Sequence, residues 1–257
     1  MLAEERQNKI YKIIQDKGAV TVSYLISTFN VSIETVRRDL MAMENQGKLV
    51  RVHGGAVANG DMKNYSDLKK RNNEYSSQKN ELAIKAAEFV NDGDIIAIDS
   101  GSTALMFAEA LKLKNFNLTI LTHSEDVFNS LRNHGQFTLI LCGGYYMNSE
   151  NAFYGELTID MLRNLHVKKS FIFPSAISLE GGICDYQNDL LQVQKQLLKC
   201  ADEIYVLADS SKFEKRALHK LEDMKREYIY VTDSGLSYEL KKVYEENNIK
   251  IFDGKDK

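Results

Sequence analysis

The stretch SIETVRRDLMAMENQ, residues 32–46, decides how the rest of the chain is read. Ser32 is a good N-cap: its hydroxyl can accept from the free amide of Thr35, and Glu34 places a negative charge at the positive end of the helix dipole. Gly47 supplies the stop. Val36, Leu40 and Met43 recur at helical spacing and form the inward stripe, which turns Thr35, Arg37 and Arg38 to solvent in the first two turns. The helix thus presents a short, polar, cationic edge.

The residues in front of it have the punctuation of a second helix. Thr21 caps a short segment whose Val22, Leu25, Ile26 and Phe29 lie on one side, and Asn30 can take the left-handed conformation that ends it. Only Val31 separates that end from Ser32. So tight a junction makes the two helices cross steeply, as in a helix-turn-helix whose second helix enters the major groove N-terminus first. Arg37 or Arg38 is then placed to reach a guanine edge or a phosphate. Downstream, KLVRVHGGA at residues 48–56 alternates apolar and basic residues before Gly54-Gly55, the pattern of a β-hairpin wing beside the groove. The candidate DNA contacts are therefore Ser32, Thr35, Arg37, Arg38, Lys48, Arg51 and His53, the last either meeting DNA or only closing the turn. Residues 3–16 read as a bracing first helix with Ile10, Ile13 and Ile14 inside and Gly18 at its end.

VSIETVRRDL followed by RVHGGA resembles the N-terminal signature of the DeoR family of bacterial transcriptional repressors. The resemblance implies a winged helix-turn-helix over residues 1–58 that binds double-stranded operator DNA. Charge agrees in direction: residues 1–58 carry eight Lys+Arg against six Asp+Glu, while the remainder carries 25 against 30.

At 257 residues the chain has room for one small and one medium domain. Cys142, Cys184 and Cys200 have neither the pairing nor the spacing of a disulfide framework or a zinc site, which predicts structural thiols in a reducing compartment and no metal. No stretch approaches the length of a membrane span, and the opening MLAEERQNK is acidic and polar where a signal peptide is apolar, so a cytoplasmic protein is expected.

After the wing, residues 57–76 lose all periodicity and read as an exposed linker, assigned to residues 59–76, whose basic Lys69-Lys70-Arg71 is read as solvated. From residue 77 to residue 257 helix-length segments alternate with short β-rich runs at residues 95–98, 118–121, 137–141, 170–173, 204–208, 228–231 and 249–252. That alternation predicts an α/β domain with a mostly parallel sheet covered on both faces and a ligand site beyond the carboxyl ends of its strands. The first run ends in Asp99-Ser100-Gly101-Ser102-Thr103 and opens directly into a helix, offering an anion backbone amides, hydroxyls and a helix dipole. Other runs end in Thr122-His123-Ser124, in Gly143-Gly144 and in Asp209-Ser210-Ser211-Lys212, where Lys212 either neutralises a phosphate or pairs with Asp209.

These clusters also resemble the sugar-phosphate sensor that follows the helix-turn-helix in DeoR-type repressors, a domain similar to ribose-5-phosphate isomerase. The resemblance adds the step Tyr154-Gly155 to the expected effector contacts, which are then Asp99 to Thr103, Thr122 to Ser124, Gly143, Gly144, Tyr154, Gly155, Asp209 and Lys212. Two departures bear on ligand choice. His123 stands where the family usually has Asn, and Phe173-Pro174, with the only proline, stands where small residues are usual.

The expected protein is thus a repressor of sugar-metabolism genes, needing no cofactor, whose operator binding responds to a phosphorylated sugar. It is expected to work as a homo-oligomer, dimer or tetramer, joined through residues 77–257, because one small helix-turn-helix reads few base pairs. The alternative is a sugar-phosphate isomerase-like enzyme in which Asp99, Asp209 or Lys212 performs acid-base chemistry. The attached DNA-binding head favours sensing without catalysis.

Overall fold

The computed structural model describes residues 2–17, 19–46, 48–52, 54–58 and 68–255. The head consists of α1 (Ala3–Lys17), β1 (Ala19–Thr21), α2 (Val22–Phe29), α3 (Ile33–Asn45), β2 (Leu49–Val52) and β3 (Gly55–Ala58). Ile10, Ile14, Leu25, Val36, Leu40, Met43 and Leu49 bury together, so the spacing of apolar residues places α2 and α3 on one small core. The caps act as their chemistry requires: Thr21 Oγ1 accepts from the Tyr24 amide, Ser32 Oγ accepts from the Thr35 amide, and Asn30 turns the chain at φ 50°, ψ 51°. Gly47, the expected stop of α3, lies outside the described residues.

Two features of the head have no simple sequence signal. Strand β1 pairs antiparallel with β3, giving the order β1-β3-β2. Gly55 is required there by space, since a Cβ would lie 2.1 Å from the carbonyl oxygen of Val20. Asp39, beside the arginine doublet, is buried, and its carboxylate takes Arg6 Nε at 2.5 Å and Arg6 Nη2 at 3.2 Å, which ties α1 to α3.

The expected linker is in part helical: α4 (Leu68–Asn73) carries the Lys69-Lys70-Arg71 run, and α5 (Ser76–Ala87) follows it. The larger unit continues with β4 (Ile95–Ile98), α6 (Ser102–Leu111), β5 (Leu118–Thr122), α7 (Glu125–Leu131) and β6 (Phe137–Leu141). Next come β7 (Tyr145–Met147), β8 (Ala152–Tyr154), α8 (Glu156–Arg163), β9 (Val167–Ile172), β10 (Ala176–Ser178) and β11 (Gly182–Asp185). The chain ends through α9 (Asn188–Lys199), β12 (Ala201–Leu207), β13 (His219–Glu222), β14 (Ile229–Val231), α10 (Tyr238–Glu246) and β15 (Ile251–Phe252).

The seven expected runs form one seven-stranded sheet, parallel throughout, in the order β15-β14-β12-β9-β4-β5-β6. Residues of α5, α6 and α7 fill one face and residues of α8, α9 and α10 the other, as a sheet apolar on both faces demands. The chain proceeds outward from β4 through β5 and β6, then restarts on the opposite side of β4 with β9. The direction of winding therefore reverses between β4 and β9, and a crevice opens beyond their carboxyl ends. Two small antiparallel sheets, β7-β8 and β10-β11-β13, come from runs too short to carry a readable pattern.

Below this crevice, at the opposite ends of the same two strands, Lys169 Nζ donates to Asp94 Oδ2 at 2.5 Å and to the Phe89 carbonyl at 2.7 Å, both side chains being buried. Burial pushes the Asp94 carboxyl up, but Lys169, the Asn91 amide and Lys168 outweigh it and hold the group below its ordinary value. The stability it contributes is therefore present above the ordinary carboxylate pKa and lost as pH falls through the depressed one. Asp94→Asn leaves the Lys169 ammonium buried without its counter-charge and should cost about 3–5 kcal/mol of unfolding free energy. Urea titration at neutral pH checks the size, and the difference from wild type should shrink below about pH 4.

Candidate functional site

Helix α3 presents its N-terminal half outward. Ser32, Arg37, Arg38, Lys48 and Arg51 are exposed and Thr35 is half-exposed, whereas His53 lies outside the described residues. Arg37 Nη1 meets Glu34 Oε1 at 3.2 Å in an exposed pair, an arrangement worth about 0–1 kcal/mol that a phosphate can displace. Arg51 is strapped to the last turn of α3, its amide donating to Glu44 Oε1 at 2.9 Å. Arg38 makes no ion pair with the described residues. The face is a cationic ridge held on a rigid scaffold, suited to a duplex backbone and to base edges.

The second site is the crevice between β4 and β9. It is partly open to solvent, and its walls come from the turn Ser100 to Thr103, from Phe173, Ser175, Asp185 and Gln194, and from Arg71, Glu150 and Lys212. Helix α6 starts in this wall: the first amide bonded within the helix is that of Leu105, to the Gly101 carbonyl, so those of Ser102, Thr103 and Ala104 are free of helical partners. Thr103 is buried and its Oγ1 has no protein partner. A buried hydroxyl left so is costly unless something else meets it.

Cations converge on the same place. Lys212 Nζ reaches the Pro174 carbonyl at 2.9 Å and does not pair with Asp209, whose Oδ1 instead accepts from the Ser211 amide at 3.1 Å. Arg71 forms an ion pair with Glu150, and Lys79 Nζ donates to the backbone carbonyls of Arg71 and Glu74. Burial pushes Lys79 down to about 8, helped by the Lys212 charge; burial likewise lowers Lys212, helped by the Arg71 charge. Two cations, Lys212 and Arg71, line the cleft beside this helix N-terminus, a setting that favours an anion.

Asp99 forms the floor without lining the cleft. Its Oδ2 accepts from the Phe173 amide at 3.3 Å and from Gln194 Nε2 at 2.9 Å, and its Oδ1 faces His123 Nε2 at 2.9 Å. His123 Nδ1 faces the Phe153 carbonyl at 2.8 Å. Both ring nitrogens thus lie within hydrogen-bonding distance of an oxygen.

The expected contacts accordingly divide. Ser100, Gly101, Ser102, Thr103 and Lys212 line the cleft. Asp99 and His123 brace it, Thr122 Oγ1 holds the Ser124 amide, and Ser124 caps α7. Gly143, Gly144, Tyr154 and Gly155 shape the joint into α8: a Cβ on Gly144 would lie 2.6 Å from the Tyr154 carbonyl oxygen, and Gly155, at φ 91°, passes beneath the Tyr145 ring. The solvated reading of the Lys69-Lys70-Arg71 run is corrected for Arg71, which enters the cleft. Arg71, Glu150, Ser175, Asp185 and Gln194 were not expected there, and only the amphipathic spacing of α9 could have marked Gln194 as inward.

The family model described as DeoR-like helix-turn-helix domain matches residues 6–61, and that described as DeoR C terminal sensor domain matches residues 74–234. An HTH-type transcriptional regulator of Bacillus subtilis (strain 168) is 31% identical, over 98% of this chain and 96% of that protein. The L-fucose operon activator of Haemophilus influenzae is 31% identical, over 95% of this chain and 97% of its own. A lactose phosphotransferase system repressor of Staphylococcus aureus is 32% identical, over 82% and 84%. Among solved structures, ribose 5-phosphate isomerase A of Neisseria gonorrhoeae aligns at a TM-score of 0.41 and 17% identity, over 54% of this chain and 53% of its own.

Arg38→Ala should weaken duplex binding while moving unfolding stability by less than about 0.5 kcal/mol. Titration across salt separates its role: a phosphate contact lowers the salt slope by about 1, and a guanine contact relaxes sequence preference by about 1–3 kcal/mol. Lys79 gives the cleft a proton signature. At about pH 8.5 much of Lys79 is neutral, and an anion in the cleft favours its ammonium, so sulfate binding should take up protons. Calorimetry in two buffers of different ionisation enthalpy should detect that uptake, and it should vanish near pH 6 and in Lys79→Met.

Proposed function

The chain belongs to the DeoR family of transcriptional regulators, and from that membership we propose that it represses sugar-metabolism genes, its operator binding controlled by a phosphorylated sugar seated between β4 and β9. The observation that carries this reading is the unpartnered Thr103 hydroxyl, buried in a wall that also offers free amides, facing Lys212 and Arg71. A phosphate ester would accept from the hydroxyl and the amides while neutralising the two cations. Gln194, Asp185 and Ser175 line the same cleft as partners for sugar hydroxyls. The fucose and lactose regulators among its relatives are named for sugars, which supports that ligand class.

In this reading residues 1–58 are the DNA-binding head and residues 77–257 the sensor, with α4 folded onto the sensor in place of a free linker. The regulator acts as a dimer or tetramer through the sensor, because paired half-sites multiply the few base pairs one head can read. Exposed Tyr145, Leu157 and Met161, gathered around α8, offer an apolar face for that assembly.

An unphosphorylated sugar would forgo charge-assisted hydrogen bonds worth about 1.5–3 kcal/mol each. Melting-temperature screening against sugar phosphates and their unphosphorylated parents should therefore give shifts only for esters. Calorimetry with the best ester should show affinity lowered at least about tenfold by Lys212→Ala and less by Thr103→Ala. Equal response to a sugar and its ester, or unchanged affinity in Lys212→Ala, would overturn the assignment.

A further inference from the structure

The outer flank of the wing is covered. Along β2 the side chains alternate: Leu49 enters the core of the head, and Val50 points the other way. Val50 packs against Ala176, Cys184, Tyr186, Ala217 and Leu218 of the sensor, all five of them buried. The wing tip follows the same surface: a methyl on Gly55 would meet Leu218 Cδ1 at 3.1 Å, and one on Gly54 would meet His219 Cε1 at 3.8 Å. The covering surface is the three-stranded sheet β10-β11-β13 together with the residues entering β13.

That sheet also backs the ligand cleft. In β11, Cys184 belongs to the wing-facing cluster, while its neighbour Asp185 lines the cleft, holding Ser175 Oγ at 2.8 Å and Gln194 Nε2 at 3.0 Å. Tyr186, on the wing side, donates its amide to Asp185 Oδ1 at 2.7 Å. In β10, Ala176 faces the wing immediately after Ser175, which lines the cleft. Residues one apart therefore serve the two surfaces, and a shift of β11 that suits a ligand on one side must move the seat of the wing on the other.

We propose that the β10-β11-β13 sheet is an intramolecular docking surface for the wing, that docking withholds the wing flank from DNA, and that ligand in the cleft acts on the head by changing this contact. The first two parts stand on the packing of Val50, Gly54 and Gly55; the third rests on the cleft being the effector site. A duplex backbone and the sensor sheet cannot occupy the same flank, so the docked wing and a wing laid beside a groove exclude one another.

Hydrogen–deuterium exchange on the full chain tests each part. Leu218→Glu, on the sensor, and Val50→Lys, on the wing, should each speed exchange several-fold in the peptide spanning residues 49–58, and the double variant should recover protection through the new ion pair. Circular dichroism identifies a variant that has lost its fold, in which case the other single variant carries the result. Wild-type exchange of the wing in a folded Leu218→Glu or Val50→Lys would overturn docking. A mixed-sequence duplex at low salt should slow exchange in residues 32–40 and speed it in residues 183–186 and 217–220. Unchanged exchange at 217–220 with the duplex bound would overturn the exclusion. Sulfate that protects residues 100–105 but leaves 49–58 as before would overturn the coupling. Sulfate without effect at 100–105 would instead overturn the cleft assignment, leaving docking to stand on the Leu218→Glu result.

Discussion

The carboxylate of Asp99 holds together the place where everything else meets. It sits at the end of β4, the strand from which the chain winds in both directions, and it accepts from the first amide beyond β9, from Gln194 on α9 and toward His123 beyond β5. A fully buried carboxylate is unfavourable unless several donors surround it, and the donors that satisfy Asp99 come from the elements that wall the cleft. The crevice that the parallel topology creates is thereby fixed in shape. The turn from Ser100 to Thr103 leaves this anchored residue and enters α6 with its amides free.

Beside that anchor, buried cations are gathered among carboxylates. Lys212, Arg71 and Lys79 are brought together by folding although each disfavours its neighbours, and carboxylates near them are in part engaged: Glu150 by Arg71, Asp185 by Gln194 and Ser175, and Asp209, through one oxygen, by Ser211. The head shows the opposite regime. The arginines of its exposed ridge stand in water, their ion pairs with Glu34 and Glu44 are weak, and their attraction to DNA is long-ranged and sensitive to salt. A buried site selects its ligand by satisfying orphaned groups; an exposed ridge binds by charge and then reads bases.

The head was legible because its determinants are local. Ser32, Thr21 and Asn30 act within three residues of themselves, and the 3.6-residue stripe through Val36, Leu40 and Met43 states which face is buried. The parallel sheet was legible for a similar reason, since strands buried on both faces read as unbroken apolar runs. The cleft was legible only on the side that follows β4 and β12. Arg71 lies in a stretch without periodicity, where a cation reads as solvated, and its partner Glu150 is 79 residues away. Gln194 and Asp99 are separated by 95 residues, and no spacing rule joins them. The strands β7, β8, β10, β11 and β13 are three or four residues long, too short for period-two alternation to stand out. With them the packing of Val50 on the sensor was out of reach, because an apolar residue on a wing reads equally well as part of the head.

In the proposed function the α6 N-terminus and Lys212 form one anion site. A crystal structure of the full chain with the sugar phosphate that raises its melting temperature most would test it directly. The phosphate should lie against the amides of Ser102 and Thr103, within hydrogen-bonding distance of Lys212 and the Thr103 hydroxyl. A phosphate bound elsewhere, with the Thr103 hydroxyl still unmet, would contradict it.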